Sequence, residues 1–258
     1  MKINSFPKNL IRKAIVLLIW VGLWWLAALA VNREVVLPTP VSVVRKLVSL
    51  AGTGAFYTAI FFSVLRIFAG LLAGVLLGLL LGILCAAFKP ADAFISPALS
   101  VVRATPVASF IILALVILDK AYIPVVISLL MVLPVVFGNV KTGIKKTDGK
   151  LLEMARFFKV DRWSVVTKIY TPQVAPFFFS GLKTSLGLAW KAGVAAEVLC
   201  YTRRSIGLNL QNAKTYLMTD ELFAWTVTII IISMLIETLV ARLISKYEKK
   251  RGTGNGEG

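Results

Sequence analysis

TAIFFSVLRIFAGLLAGVLLGLLLGILCAAF, residues 58–88, carries a single charge, Arg66, in a run longer than a bilayer needs. About 20 predominantly apolar residues cross the hydrocarbon core as a helix, because in lipid the segment has to satisfy its own backbone N–H and C=O groups. The stretch therefore predicts a membrane-spanning helix. Gly70, Gly74, Gly78 and Gly82 recur every fourth residue, which sets them along one slowly drifting face and lets another backbone come close. That spacing predicts tight helix packing, either within one subunit or at a seam between two. Arg66 lies near the outer end of the run, where its side chain can snorkel toward the headgroups.

Working outward, five more runs of similar character follow, and the chain is predicted to be all-α and polytopic with six transmembrane helices. The first covers 14–31, uncharged and preceded by Lys2, Lys8, Arg12 and Lys13; Trp20, Trp24 and Trp25 and the lack of a small-residue cleavage site favour a retained anchor over a signal peptide. The others fall at 94–118, with Arg103 and Pro106, at 122–140, with Pro124 and Pro134, at 177–199 and at 222–244. Composition agrees: 58% of residues are hydrophobic. The formal charge of +17 would suit a nucleic-acid binder on a solvated surface, but here Lys and Arg flank apolar runs, so no nucleic-acid partner is expected and membrane lipid is. With the N-terminus inside, seventeen Lys and Arg lie on the cytoplasmic side against seven opposite. That bias puts both termini and the loop 141–176 in the cytoplasm. The division is a tail at 1–13, a six-helix domain at 14–244 and a tail at 245–258, whose Gly-rich end reads as disordered.

Outside the spans, Thr39 and Pro40 read as a helix cap and first turn, with Val41, Val44, Leu47 and Val48 as its apolar stripe, giving a short helix on the outer surface. The loop 141–176 is richer. Asp148-Gly149 breaks the chain and offers a cap for a helix over 150–158. Asp161 caps a second, short helix from Arg162 to about Ile169, with Trp163, Val165, Val166 and Ile169 as its apolar positions, and Pro172 and Pro176 stop it before the fifth span. Resting on lipid headgroups would explain the charge and the Trp as well as a protein partner would.

These residues carry a resemblance. The Glu153-x-Ala155 start, the spacing to Ile169 and the closing Pro172 resemble the loop motif of permease subunits of bacterial ATP-binding-cassette importers. Leu37-Pro38-Thr39-Pro40, Gly181-Leu182-Lys183, Gly187-Leu188-Ala189-Trp190, Ala195-Ala196-Glu197 and Ile206-Gly207 are similar to the subgroup that imports nitrate, sulfonates, taurine and some vitamin precursors. Three positions depart from the pattern: Met154 where Ala is usual, Thr171 where Leu is usual, and Lys159 where Gly usually makes the left-handed turn between two helices. The resemblance implies a type I importer permease fold and a set of partners: a second permease copy as a homodimer, two cytoplasmic ATPase subunits that hold the ATP and magnesium, and an extracytoplasmic binding protein. This chain would bind no cofactor itself. It also implies that Glu153, Ala155, Asp161, Arg162, Trp163, Val165, Val166, Ile169 and Pro172 dock the ATPase, the segment from Asp161 to Ile169 being the coupling helix. The membrane is then the bacterial inner membrane.

No catalytic residues are expected. The chain lacks a phosphate-binding Gly-x-x-x-x-Gly-Lys-Ser/Thr loop and any His, and Cys85 and Cys200 are too few for a metal cluster or a disulfide framework. Charges inside spans are costly and mark candidate pathway residues: Arg103, Lys191, Glu197 and Glu237. Lys183 is close enough to the cytoplasmic end to snorkel. Lys191, near mid-span, either faces a water-filled pathway, where it would favour an anion, or pairs with a buried acid such as Glu237. An ATPase-independent secondary transporter is the competing class, though no internal repeat is evident.

Overall fold

The computed structural model describes residues 6–250, and its elements among them are helical. In order they are α1 (Phe6–Val31), α2 (Pro40–Ala51), α3 (Gly54–Ala87), α4 (Lys89–Ala104), α5 (Val107–Ile117), α6 (Ile123–Lys145), α7 (Gly149–Phe157), α8 (Arg162–Val165), α9 (Thr171–Cys200), α10 (Ile206–Thr215) and α11 (Thr219–Lys250), with a π-helical turn, Val166–Tyr170, joining α8 to α9. The Gly-rich end read as disordered lies outside the described residues, but α11 continues to Lys250, past the boundary placed at 244.

Among the described residues three helices, α3, α6 and α11, are long and apolar enough to cross a membrane. The run expected as a third span is not one straight helix: α4 and α5 meet at 103° and count as a fourth span only if taken together. The cause is Pro106. A proline pushes its predecessor out of the helical region, and Thr105 sits at φ −80°, ψ 129°, with Pro106 itself at ψ 135°. The apolar part of α1, Ile15–Val31, is shorter, and α9 carries Lys183, Lys191 and Glu197 along its length.

The centre of the bundle is the approach of α3 to α6. A Cβ on Gly70 would lie 2.2 Å from the Val125 carbonyl oxygen, one on Gly74 2.8 Å from Val132 Cβ and one on Gly78 2.8 Å from the Leu133 carbonyl oxygen. The stripe thus packs within the chain. Each step of four along α3 meets a step of about four along α6 in the same direction, so the two helices run parallel, with α4 and α5 making the return between them. Helix α9 runs antiparallel to both: Gly193 fits between Ile67 and Ser128, Ser128 Oγ donates to the Ala189 carbonyl at 3.2 Å, and Gly181 lies against Asn139. Buried Val132, Val136, Val140, Leu186, Ala189 and Trp190 fill the space among the three.

Peripheral helices attach through particular contacts. Trp24 of α1 stacks on Phe223 of α11, and Lys46 of α2 meets Glu221 at 3.0 Å. Thr39 caps α2 as expected, its side chain accepting from the Ser42 N–H, but the packed face is not the expected stripe. Val43 is buried and Leu47 half-buried, while Val41, Val44 and Val48 face outward.

Overpacking a filled contact costs about 1–3 kcal/mol. Gly70→Ala is therefore expected to lower the thermal unfolding midpoint of the detergent-solubilised protein, whereas Gly22→Ala, with nothing within 4 Å, is expected to leave it unchanged. Equal midpoints for the two variants would show that the close approach of α3 to α6 does not hold the bundle together.

Candidate functional site

Residues 148–172 form a helical hairpin at the end of the bundle where α3 and α6 finish and α9 begins. Asp148 opens it, its carboxylate accepting from the Lys150 N–H at 2.9 Å while its own N–H donates to Gln173 Oε1 at 2.9 Å, which ties the loop to α9. Helix α7 ends at the position expected to need a glycine. Lys159 adopts φ 53°, the left-handed turn made here by a residue with a Cβ. The Lys159 N–H donates to the Arg156 carbonyl at 3.1 Å and the Val160 N–H to the Ala155 carbonyl at 2.9 Å, the paired bonds that close a helix in a Schellman motif. The turn is thus the one glycine would make, formed at the cost of strain.

Asp161 then caps α8, accepting from the Ser164 N–H at 2.8 Å, and these bonds hold its carboxyl below the usual carboxylate range. Helix α8 is only four residues long, and Pro172 does not stop it. Proline has no N–H for the Lys168 carbonyl and its ring crowds that group, so the helix widens into the π turn: Thr171 donates to the Val166 carbonyl through both its N–H and its hydroxyl, the latter at 2.8 Å. The chain passes from Arg162 to Cys200 without leaving helical geometry. A mostly apolar groove of about 660 Å³, bordered by Leu79, Ile83, Ile144, Tyr170 and Phe178, lies beneath the π turn.

Of the candidate docking residues, Glu153, Asp161, Arg162, Trp163 and Val166 are exposed, Val165, Ile169 and Pro172 are half-buried, and Ala155 is buried at the base of α7. Trp163 is 75% exposed, and Phe157 and Phe158, ring centroids 5.3 Å apart, are exposed as well. These two phenylalanines extend the candidate face; their adjacency at the end of α7, where both cannot point inward, is the sequence signal for it.

The candidate pathway residues do not converge on one place. Arg103, just before the α4–α5 bend, is exposed and donates to the Pro134 carbonyl at 2.6 Å across the space left by Gly138. Lys191 is exposed on the outer face of α9 and has no ion-pair partner among the described residues. Glu237, exposed on α11, accepts from Ser233 and does not pair with Lys191. Lys183 is exposed as well.

Glu197 is 0% exposed, at the opposite end of the bundle. Its Oε2 accepts from Ser63 Oγ at 2.6 Å and from the Gly207 N–H at 3.3 Å, and its Oε1 faces Arg66 at 3.6 Å. Ser63 in turn accepts from the Ile206 N–H at 2.9 Å. Arg66, expected to snorkel, instead donates to the Arg203 and Arg204 carbonyls at 3.0 and 3.4 Å. One buried carboxylate therefore pins α3, α9 and the start of α10 together.

This arrangement is a multi-pass membrane bundle with a capped helical hairpin at one end and no group of three or more His, Cys, Asp or Glu able to hold a metal among the described residues. The chain belongs to the family of binding-protein-dependent transport system inner membrane components, whose model matches residues 74–251. It is 29% identical over 255 residues to a Bacillus subtilis permease named for aliphatic-sulfonate transport, covering 98% of this chain and 90% of that one. It is 28% identical over 242 residues to the taurine transport system permease of Escherichia coli, covering 87% and 82%. A solved amino acid ABC transporter shares the fold with a TM-score of 0.61 at 17% identity, over 80% of this chain and 96% of that one. The family transports and does not catalyse, and the protein is a multi-pass component of the bacterial inner membrane.

A non-glycine residue in the left-handed region costs about 1–2 kcal/mol. Lys159→Gly is expected to recover part of that and to slow hydrogen exchange at the end of α7; faster exchange there would count against a strained turn. Removing one partner of a buried pair costs about 3–5 kcal/mol. Glu197→Ala is expected to lower the unfolding midpoint sharply and Glu197→Gln less, and indifference to both would mean that the buried carboxylate is not a structural pin.

Proposed function

We propose that the chain is the permease subunit of an importer of small anions, sulfonate, taurine or nitrate in kind, and that two copies enclose the pathway. The observation that carries this reading is Lys191. An unpaired ammonium near the middle of a spanning helix is costly in lipid, and its exposed position on a single chain suits a water-filled path between two copies, where it would attract an anion. The names of the relatives support the same class. Six spans with both termini in the cytoplasm accord with the charge bias, counting α4 with α5 as one broken span and adding α1 and α9 to the three long apolar helices.

The hairpin at 148–172 then faces the cytoplasm and docks one of two ATPase subunits, which bind the ATP and magnesium. Trp163, Phe157 and Phe158 offer the apolar anchors of such a contact, with the exposed Glu153, Arg156 and Arg162 on the same loop. Closure of the ATPase pair would press on α8, and the π turn with its adjoining groove is where the tilt passes into α9. At the other end, α10 and the exposed Tyr216 and Leu217 face the side from which a binding protein delivers substrate.

Trp163→Glu is expected to abolish co-purification of the ATPase with the tagged permease while leaving the permease folded; normal ATPase recovery would remove the docking assignment. Lys191→Ala is expected to reduce uptake of the anion at least tenfold without affecting ATPase association. Unchanged uptake would take Lys191 out of the pathway.

A further inference from the structure

At the end of the bundle that carries the hairpin, α4 and α6 present matching polar faces. Ser96, Leu99, Ser100 and Arg103 stand at i, i+3, i+4 and i+7 on α4, and Gly138, Lys141, Thr142 and Lys145 stand at the same spacing on α6. With Phe137 they enclose a cavity of about 270 Å³. Three cations and three hydroxyls border it, and no carboxylate is among the lining residues.

The charge around this cavity is not balanced. Asp92, one turn before Ser96, is the carboxylate that reaches these cations: it accepts from Lys141 and, at 3.4 Å, from Lys145. Lys141 also donates to Ser96 Oγ at 2.8 Å, and its ammonium lies 5.4 Å from the Phe137 ring centroid. Arg103 spends one N–H on the neutral Pro134 carbonyl and pairs with no carboxylate among the described residues, so its fork is otherwise free. Lys145 keeps more than half of its side chain exposed, and the Thr142 hydroxyl has no partner among the described residues. One negative charge among three positive ones, at the edge of a membrane, leaves a site with donors in excess.

We propose that this groove is an oxyanion-binding site that takes a phosphate or sulfonate group. Arg103 would hold two of its oxygens in the bidentate manner of a guanidinium, Lys145 would supply a mobile point charge at the mouth, and Thr142 would donate its hydroxyl hydrogen, that of Ser100 already going to the Ser96 carbonyl at 2.8 Å. Gly138 matters because a Cβ there would meet Arg103 Nη2 at 2.5 Å, pushing the guanidinium out of the groove. The group has two possible sources, the headgroup of an acidic phospholipid, which basic pockets between spanning helices bind, or a free anion from solution. The assignment goes beyond the import reading and does not depend on which solute the chain carries.

The test uses the full-length chain in neutral detergent, with sodium sulfate as the probe and sodium chloride at equal ionic strength as the control. Sulfate is expected to raise the unfolding midpoint of the wild type, and Arg103→Gln/Lys145→Gln is expected to raise the half-saturating concentration at least tenfold. Native mass spectrometry after reconstitution with phosphatidylglycerol and phosphatidylcholine separates the sources. One phosphatidylglycerol retained per wild-type chain and lost from the variant identifies the headgroup as occupant, whereas a sulfate response without retained lipid identifies the free anion. Ser100→Asp keeps every cation and introduces a carboxylate into the groove, so it is expected to show the same losses even if the double variant folds poorly. A wild type that neither responds to sulfate nor retains the lipid overturns the proposal, as does a Ser100→Asp chain that behaves like wild type in both assays.

Discussion

The contact between α3 and α6 is the constraint on which the rest of the bundle depends. Lipid tails are as apolar as leucine, so two spanning helices gain little from burying hydrocarbon against each other and rely on close packing instead. The glycine stripe of α3 brings its backbone against the Val125, Leu129, Leu133 and Phe137 carbonyls of α6. Side chains on α6, chiefly Val132, Val136 and Val140, fill the grooves the glycines leave. Because both helices run the same way, the chain between them has to cross back, and α4 and α5 do so with a sharp break. Helix α9 then closes the triad through its own small residues, Gly181 against Asn139 and Gly193 against Ile67 and Ser128.

What could be read from the sequence follows from where each feature's cause lies. Apolar length and flanking charge are local, so the helical runs are visible in the chain itself, as are the Asp148, Asp161 and Thr39 caps, each a short side chain reaching an N–H two or three residues on. The break at Thr105-Pro106 was visible as a proline, but apolar continuity through 94–118 argues for a single span, and hydropathy carries no information about direction. The covered face of α2 is hidden from the sequence for a related reason. Its valines sit on two faces, and which face is covered depends on α11, far along the chain.

The partners of charged residues were the least legible. Arg66 in an apolar run has several possible fates, and nothing local distinguishes a snorkelling side chain from one that binds the Arg203 and Arg204 carbonyls and a buried Glu197. The groove between α4 and α6 has the same character: Lys141 and Lys145 read as ordinary flanking cations until the fold sets Asp92 and Arg103 beside them. Lys159 is the opposite case. A Lys at the turn raised the expectation of different geometry, yet the φ of 53° shows that hydrogen bonds to the Ala155 and Arg156 carbonyls outweigh the Cβ penalty.

Helix α9 links the two ends of the molecule mechanically. At 30 residues it is about 45 Å long at the usual rise of about 1.5 Å per residue. Its first turn is continuous with α8 through the π turn, and its last turn holds Glu197, whose carboxylate is shared by α3 and the start of α10. Between these points the helix is locked against α3 and α6 by contacts too close to slide past one another without opening. A push on α8 is therefore met by a stiff rod that yields where its hydrogen bonding is already loosened, at the π turn and at Pro172 and Pro176. Under the proposed coupling, motion at the hairpin reaches the far end as a tilt of the whole α3–α6–α9 unit, carrying α10 with it, and not as a local bend. The buried Glu197 pin, which exposes nothing to a solute, is then what keeps the delivery end of the bundle attached to that motion.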